Sequence, residues 1–215
     1  YSTESVAELV FAVILDQLRE LDRAKRQARK GNYSEEGVLP TEIKDKTFGI
    51  LGLGNIGKRV SEIALCFGAD VRYWSRNRKE DFEVKGVKYE NADVLISESD
   101  FLSLHLSHTD DTENFLNKDR IQKIKKGAIV INTAPMELVD IDALEIRLKA
   151  GDITFILDHS DEMTKENLER LSKYTNCIIY PPLGCITKEA GINKQEIFVG
   201  NIVNFLRGSP TNKVN

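Results

Sequence analysis

Three glycines at the end of a short apolar run carry the first chemical signal in this chain. Phe48-Gly49-Ile50-Leu51 leads into Gly52-Leu53-Gly54-Asn55-Ile56-Gly57, and a helix-period stretch from Lys58 to Phe67 follows, closed by Gly68. In a strand–turn–helix of the pattern G-x-G-x-x-G each glycine has a task. Gly52 makes the tight turn, Gly54 lets the backbone approach a pyrophosphate, and Gly57 lets the helix sit close on the strand. The anion then rests on free N–H groups at the helix N-terminus. With a strand before, a helix after and another strand next, the motif points to a dinucleotide.

The next strand says which dinucleotide. An Asp or Glu about twenty residues past the glycines would hydrogen-bond the adenosine ribose and favour NAD. Here the strand Val71-Arg72-Tyr73-Trp74 ends instead in Ser75-Arg76-Asn77-Arg78-Lys79. A hydroxyl at Ser75, guanidinium groups at Arg76 and Arg78 and the ammonium of Lys79 suit a 2′-phosphate. The sequence therefore favours NADP(H), with NAD(H) as the alternative and a merely solvated basic loop as the bland reading.

These residues must be positioned by regular elements, and the pattern supplies them. A first helix is expected from a Ser5–Glu8 capping box, with Val6, Leu9, Val10, Val13, Ile14, Leu18 and Leu21 on one stripe and Gly31 closing it. Beyond a polar connector, strands are expected at 47–52, 70–74, 87–89, 101–106, 128–132, 153–158 and 177–180. Helices are expected at 55–67, 91–97, 117–124, 140–149, 165–172 and 188–207. Such alternation predicts an α/β fold of Rossmann type, a doubly wound, mostly parallel sheet with helices on both faces. Ligands of such sheets sit beyond the carboxyl ends of the strands, so 52–57, 74–79, 106–112, 132–137, 158–163 and 180–187 are the stretches to inspect.

Composition sets outer bounds. The chain has 215 residues, 41% hydrophobic and 30% charged, which suits one full α/β domain. A net charge of −4 gives no field to recruit nucleic acid or an anionic membrane. No apolar run approaches a bilayer span and no secretory signal is visible. Cys66, Cys177 and Cys185 lack metal-ligand spacing and read as reduced thiols of a cytoplasmic protein. Because the chain starts at Tyr1 rather than Met, a processed piece or an excised fragment is expected.

In this order the segments resemble the cofactor-binding domain of the D-isomer-specific 2-hydroxyacid dehydrogenases. The match runs from Ser5-Val6-Ala7-Glu8 through the glycine motif to Ser103-Leu104-His105-Leu106, Ile131-Asn132-Thr133-Ala134, Leu138-Val139-Asp140, Leu157-Asp158, Thr187-Lys188-Glu189-Ala190 and Asn204-Phe205-Leu206-Arg207-Gly208. Trp74 to Lys79 is similar to the corresponding loop of NADPH-using glyoxylate and hydroxypyruvate reductases. The resemblance implies that the turn from Leu106 to Thr112 covers the adenosine. It implies that Thr133, Ala134 and Asp158 lie beside the nicotinamide, with Asp158 accepting from its carboxamide. It also implies a homodimer built through the first helix. Residues 1–31 would be that helix, 32–46 a connector, 47–186 the dinucleotide domain and 187–215 a closing helix and tail. The family's separate substrate domain is not expected within this chain.

The resemblance fails where the family does its proton chemistry. The family's substrate-binding Arg falls at Pro135, and its acid–base His falls at Pro182. Its partner Glu falls a few residues after Asp158, where Glu162 is the nearest candidate. Proline neither binds a carboxylate nor moves a proton, so the family mechanism cannot run here as written. A rebuilt site would use His159, beside Asp158, Asp161 and Glu162. The competing reading makes His159 an ordinary loop residue, His105 structural, His108 a surface residue and Cys185 inert. Three functions follow: an impaired cofactor-binding or regulatory module, an active NADP(H)-dependent oxidoreductase acting on a carbonyl or hydroxy compound, and a dimerisation scaffold.

Overall fold

A computed structural model of the chain describes every residue except 35, 38, 39, 160, 162, 214 and 215. The chain opens with α1 (Thr3–Arg19) and α2 (Leu21–Arg29). Then come β1 (Thr47–Leu51), α3 (Asn55–Cys66), β2 (Asp70–Trp74), α4 (Glu80–Glu83), β3 (Lys88–Tyr89), α5 (Ala92–Glu98) and β4 (Phe101–Leu104). The second half contains α6 (Lys118–Lys123), β5 (Ile129–Asn132), a 3-10 turn (Met136–Leu138), α7 (Ile141–Ala150), β6 (Thr154–Leu157), α8 (Lys165–Leu171), β7 (Cys177–Ile179) and α9 (Lys188–Leu206). The described strands form one parallel sheet in the order β3-β2-β1-β4-β5-β6-β7.

Period-two alternation along the strands divides the core in two. Phe48 and Ile50 of β1, Tyr73 of β2 and Ile131 of β5 pack against Val10 and Ile14 of α1 and Val60 and Ala64 of α3. Leu51, Leu104, Val130 and Phe155 face the other way, onto Leu95 and Ile96 of α5, Ile121 of α6, Leu144 and Leu148 of α7 and Leu171 of α8. Burial on both faces explains why β4 (Phe-Leu-Ser-Leu) and β5 (Ile-Val-Ile-Asn) show no alternation with exposed residues, Ser103 and Asn132 being buried with the rest. Helix starts follow side-chain caps: Asn91, Asn117, Asp140, Thr164 and Thr187 each accept an N–H from the first turn.

Two expectations for the amino-terminal helix are corrected. The helix begins at Thr3, and Ser5 lies inside it rather than capping it. The Ser5 hydroxyl instead donates to the Gly184 carbonyl at 2.6 Å, with the Ser2 carbonyl at 3.2 Å as a second, local contact. Nor is 1–31 a single helix. Glu20 adopts the left-handed region at φ 45°, ending α1 and starting α2. At the other end α9 buries Ala190, whereas Phe198, Ile202, Phe205 and Leu206 are exposed. Among the described residues no helix is long and apolar enough to cross a membrane.

Candidate functional site

Strand order reverses between β1 and β4, and their carboxyl ends are level: Leu51 stands opposite both Trp74 and Leu104. At this switch point Gly52 takes φ 99°, and a Cβ there would lie 2.6 Å from the His105 carbonyl oxygen. Gly57 packs so closely that its Cβ would overlap the Gly52 carbonyl. Gly54 differs, because a Cβ at this residue meets no protein atom within 4 Å. Gly54 precedes α3 without any side-chain cap, and Gly54 and Asn55 are exposed. Helix geometry aims the first N–H groups of α3, from Asn55, Ile56 and Gly57, into that open space. A pyrophosphate fits this cradle, since it is an anion that can close on a bare helix start.

Beside the cradle opens a cavity of about 540 Å³, lined by Leu53, Gly54, Trp74, Ser75, Arg76, Asn77, Lys79, Leu106, Ser107, Thr109, Asp111 and Thr112. Its apolar walls, Leu53, Trp74 and Leu106, suit a flat base, and its volume lies in the usual range for small-ligand sites. The loop after β2 is pinned from below. The Tyr73 hydroxyl accepts the Lys79 N–H at 2.6 Å and donates to Glu83 at 2.9 Å, and burial pushes the phenol up to about 12. Ser75 is buried and its hydroxyl donates to the Asn77 carbonyl at 2.7 Å.

The cations of this loop go separate ways. Arg78 is committed to Glu83 through two hydrogen bonds of 2.7 and 2.6 Å and lies over the Tyr89 ring. Arg78 was expected at the cofactor; here a bidentate carboxylate engages it, and it is not among the residues lining the cavity. Arg76 and Lys79 do line the cavity, and Arg76 donates to Asp111 at 2.9 Å. Sequence reading did not single out Asp111. Its only signal was a place within 106–112, one of the stretches beyond a strand end. Thr112 lines the cavity and is buried, its hydroxyl accepting the Thr109 N–H and donating to the Ser107 carbonyl.

Farther along the strand ends lie Thr133, Ala134 and Asp158. His105 joins the Ser103 hydroxyl at 2.8 Å through Nε2 and the Thr133 hydroxyl at 3.2 Å through Nδ1. Thr133 also donates to the Leu104 carbonyl, so its oxygen accepts from Nδ1–H while Nε2 accepts from Ser103. Burial pushes the imidazole down to about 3 and keeps it neutral, which suits the structural reading of His105. Asn132 accepts the Ala134 N–H at 3.0 Å and fixes that turn.

Asp158 is buried at 3% exposure and receives two backbone donors, Leu183 N–H at 2.7 Å and Gly184 N–H at 2.9 Å. Nothing local to Asp158 in the sequence announces this clamp. Each carboxylate oxygen keeps a further lone pair for a ligand donor. Pro182 immediately precedes the clamp, and Pro135 leads the turn into Met136–Leu138. His159 is partly buried and takes φ 79°, in the left-handed region. The Glu162 position lies outside the described residues. Both prolines occupy turns that α/β sheets normally devote to ligands, and neither offers a proton or a charge.

The family model of the D-isomer specific 2-hydroxyacid dehydrogenase NAD binding domain matches residues 11–184. Glyoxylate reductase of Aeropyrum pernix is 34% identical over 223 positions, covering 99% of this chain and 67% of that protein. Hydroxypyruvate reductase of Thermotoga maritima is 33% identical, covering 88% of this chain and 62% of its own length. Among solved structures, D-lactate dehydrogenase from Aquifex aeolicus, complexed with NAD and lactic acid, superposes with a TM-score of 0.88 at 31% identity, over 97% of this chain and 68% of that one. An acyclic imino acid reductase in complex with NADPH and D-Arg gives 0.88 at 30% identity, over 100% and 69%. The chain thus spans about two thirds of the length of such relatives.

Proposed function

Because the chain belongs to the D-isomer-specific 2-hydroxyacid dehydrogenase family through its NAD-binding domain, we propose that it is a pyridine-nucleotide module favouring NADP(H), with the family's proton chemistry impaired. One observation supports this reading: the glycine cradle is open and a formed cavity adjoins it, while Pro135 and Pro182 stand where the resemblance puts the family's Arg and His. A bound nicotinamide would supply or accept a hydride. The chain's own groups would hold it, with the α3 N-terminus on the pyrophosphate, Leu53, Trp74 and Leu106 around the adenosine, and Arg76 with Lys79 toward a 2′-phosphate. Asp158 would accept from the carboxamide with its remaining lone pairs. With proline at 135 and 182, those two positions would supply neither a cation to organise a 2-oxo acid nor an acid to complete the transfer. The protein would then act as a cofactor-responsive binding or regulatory module, dimeric through its first helix.

A second reading keeps activity and uses His159 as proton donor toward a carbonyl compound without a carboxylate. Its support is the left-handed backbone of His159 directly after Asp158, since strain of this kind concentrates at working sites.

Trp74, the single tryptophan, lines the cavity and reports binding by its fluorescence. Titration with NADPH and NADH is expected to give tighter binding of NADPH, with no turnover across a panel of 2-oxo acids and simple carbonyls. Tighter NADH binding would overturn the preference. Turnover that vanishes in His159→Ala at unchanged cofactor affinity would replace the first reading with the second. Absence of binding to either nucleotide would leave only a scaffold role.

A further inference from the structure

We propose that Asp111 sets the cofactor preference of the cavity by competing with a 2′-phosphate for Arg76. The inference rests on the NADP(H) reading above and deepens it.

Arg76 comes from the loop after β2 and Asp111 from the turn after β4, and the two meet at 2.9 Å on the lining of one cavity. Their side chains are 62% and 76% exposed, so solvent screens the pair and a stronger anion can displace it. The two partners are not equally free. The Thr112 hydroxyl ties Asp111's turn together, accepting from Thr109 N–H at 2.8 Å and donating to the Ser107 carbonyl at 2.7 Å. The N–H groups of Thr112 and Glu113 both reach the Thr109 carbonyl at 2.9 Å. Asp111 therefore stands on a fixed turn, and the long side chain of Arg76 is the partner that moves. Arg78 cannot substitute, because Glu83 holds it by both oxygens.

A ribose bearing a 2′-hydroxyl meets the pair intact, and can donate to Asp111 or accept from Arg76 while the pair persists. A 2′-phosphate must draw Arg76 off Asp111 and sit near the carboxylate it has uncovered. The basic loop thus announces a phosphate site, and an acidic residue 35 positions away holds its affinity down. Asp111 is the specificity determinant that a scan of the β2 loop alone overlooks.

The test is the dissociation constants of NADPH and NADH, read from Trp74, for the full chain, Asp111→Asn, Arg76→Ala and the double variant. Asp111→Asn is expected to tighten NADPH about fivefold, the scale of one surface ion pair, while NADH changes by less than about twofold. Arg76→Ala is expected to weaken NADPH and to abolish the gain from Asp111→Asn in the double variant. If Arg76→Ala weakens NADPH but Asp111→Asn changes neither nucleotide, or both equally, the competition is refuted and the NADP(H) reading survives. If Arg76→Ala leaves NADPH unchanged, the competition falls together with Arg76 as a phosphate reader. Equal melting temperatures for the variants would place the effect in binding.

Discussion

A methyl group added at Gly54 meets open space, with no protein atom within 4 Å of its Cβ, and φ there is −80°, ordinary for any residue. Alanine narrows the unfolded ensemble, which stabilises by roughly 0.4–1 kcal/mol. It is also a poorer residue than glycine before a helix, which costs about the same. These effects nearly cancel, so Gly54→Ala should shift Tm by less than about 4 °C for a chain of this size. Binding responds differently. The methyl group occupies the space through which a pyrophosphate approaches the Asn55, Ile56 and Gly57 N–H groups. Losing one or two charge-assisted hydrogen bonds weakens binding by about 1.5–3 kcal/mol or more, tenfold to more than a hundredfold. Gly57→Ala supplies the contrast: its Cβ overlaps the Gly52 carbonyl, and backbone cannot yield cheaply. That change should cost about 3 kcal/mol and lower Tm by roughly 6–12 °C. Melting curves and Trp74 titrations on both variants give the comparison. A folded Gly54→Ala protein that binds NADPH as tightly as the parent refutes the placement of the phosphates on α3.

Asp158→Asn sets an amide N–H₂ against one of two backbone donors, so Tm should fall by an amount equivalent to about 1–3 kcal/mol, measured by calorimetry. Arg78→Ala should leave the NADPH dissociation constant within about twofold, since Glu83 already engages that guanidinium, and a tenfold loss in the same titration would contradict its placement. Stability should respond to pH in two windows. His105 has a folded pKa depressed to about 3, so its contribution is complete above the ordinary imidazole value near 6.5 and declines as pH falls toward 3. Denaturant titrations should show roughly 1–2 kcal/mol lost between about pH 7.5 and about pH 5, a slope that His105→Asn removes. The second window involves carboxylates held below their usual range, among them Asp93 beside Arg120 and Lys123 and Asp70 beside Lys88 and Arg72. Their stabilisation is present above about pH 4 and lost as pH falls through the lower folded values, which acid titration of the folded fraction would register.

Local features of this fold were the legible ones. Mostly apolar stretches such as Phe101–Leu104 announced buried strands, and helices expected from 117, 140 and 188 begin within one residue of those positions, because such signals act within a turn or two of themselves. The glycine motif was readable for the same reason. Where the determinant is distant, the sequence misled or was silent. Ser5 carries a valid local capping signature, but its hydroxyl found Gly184 instead. Arg76 and Arg78 look alike on paper, and only folding brings Asp111 to one and Glu83 to the other. Glu20 breaks the first helix with none of the glycine or proline that usually marks such a break. The resemblance marked Asp158 as a cofactor contact, whereas its grip on Leu183 and Gly184 depends on how two strand ends are juxtaposed.

The bond from Ser5 to Gly184 spans 179 positions of sequence, so it carries a meaning for the order in which the chain assembles. Gly184 is held by Asp158 at the end of β6 and follows β7, so its carbonyl reaches its final place only when that edge of the sheet exists. α1 packs on α3 through residues much nearer in sequence, whereas its fastening to the far edge must close a loop of nearly the whole chain. Segments with exposed side chains and few backbone ladder bonds open locally first, and Leu183 and Gly184 lie in such a segment. The Leu183 and Gly184 amides should accordingly exchange with solvent hydrogen sooner than those of Val130 or Ile131 in mid-sheet. The two halves of the cleft would then have separate lifetimes, with the adenosine end persisting through excursions that dismantle the other.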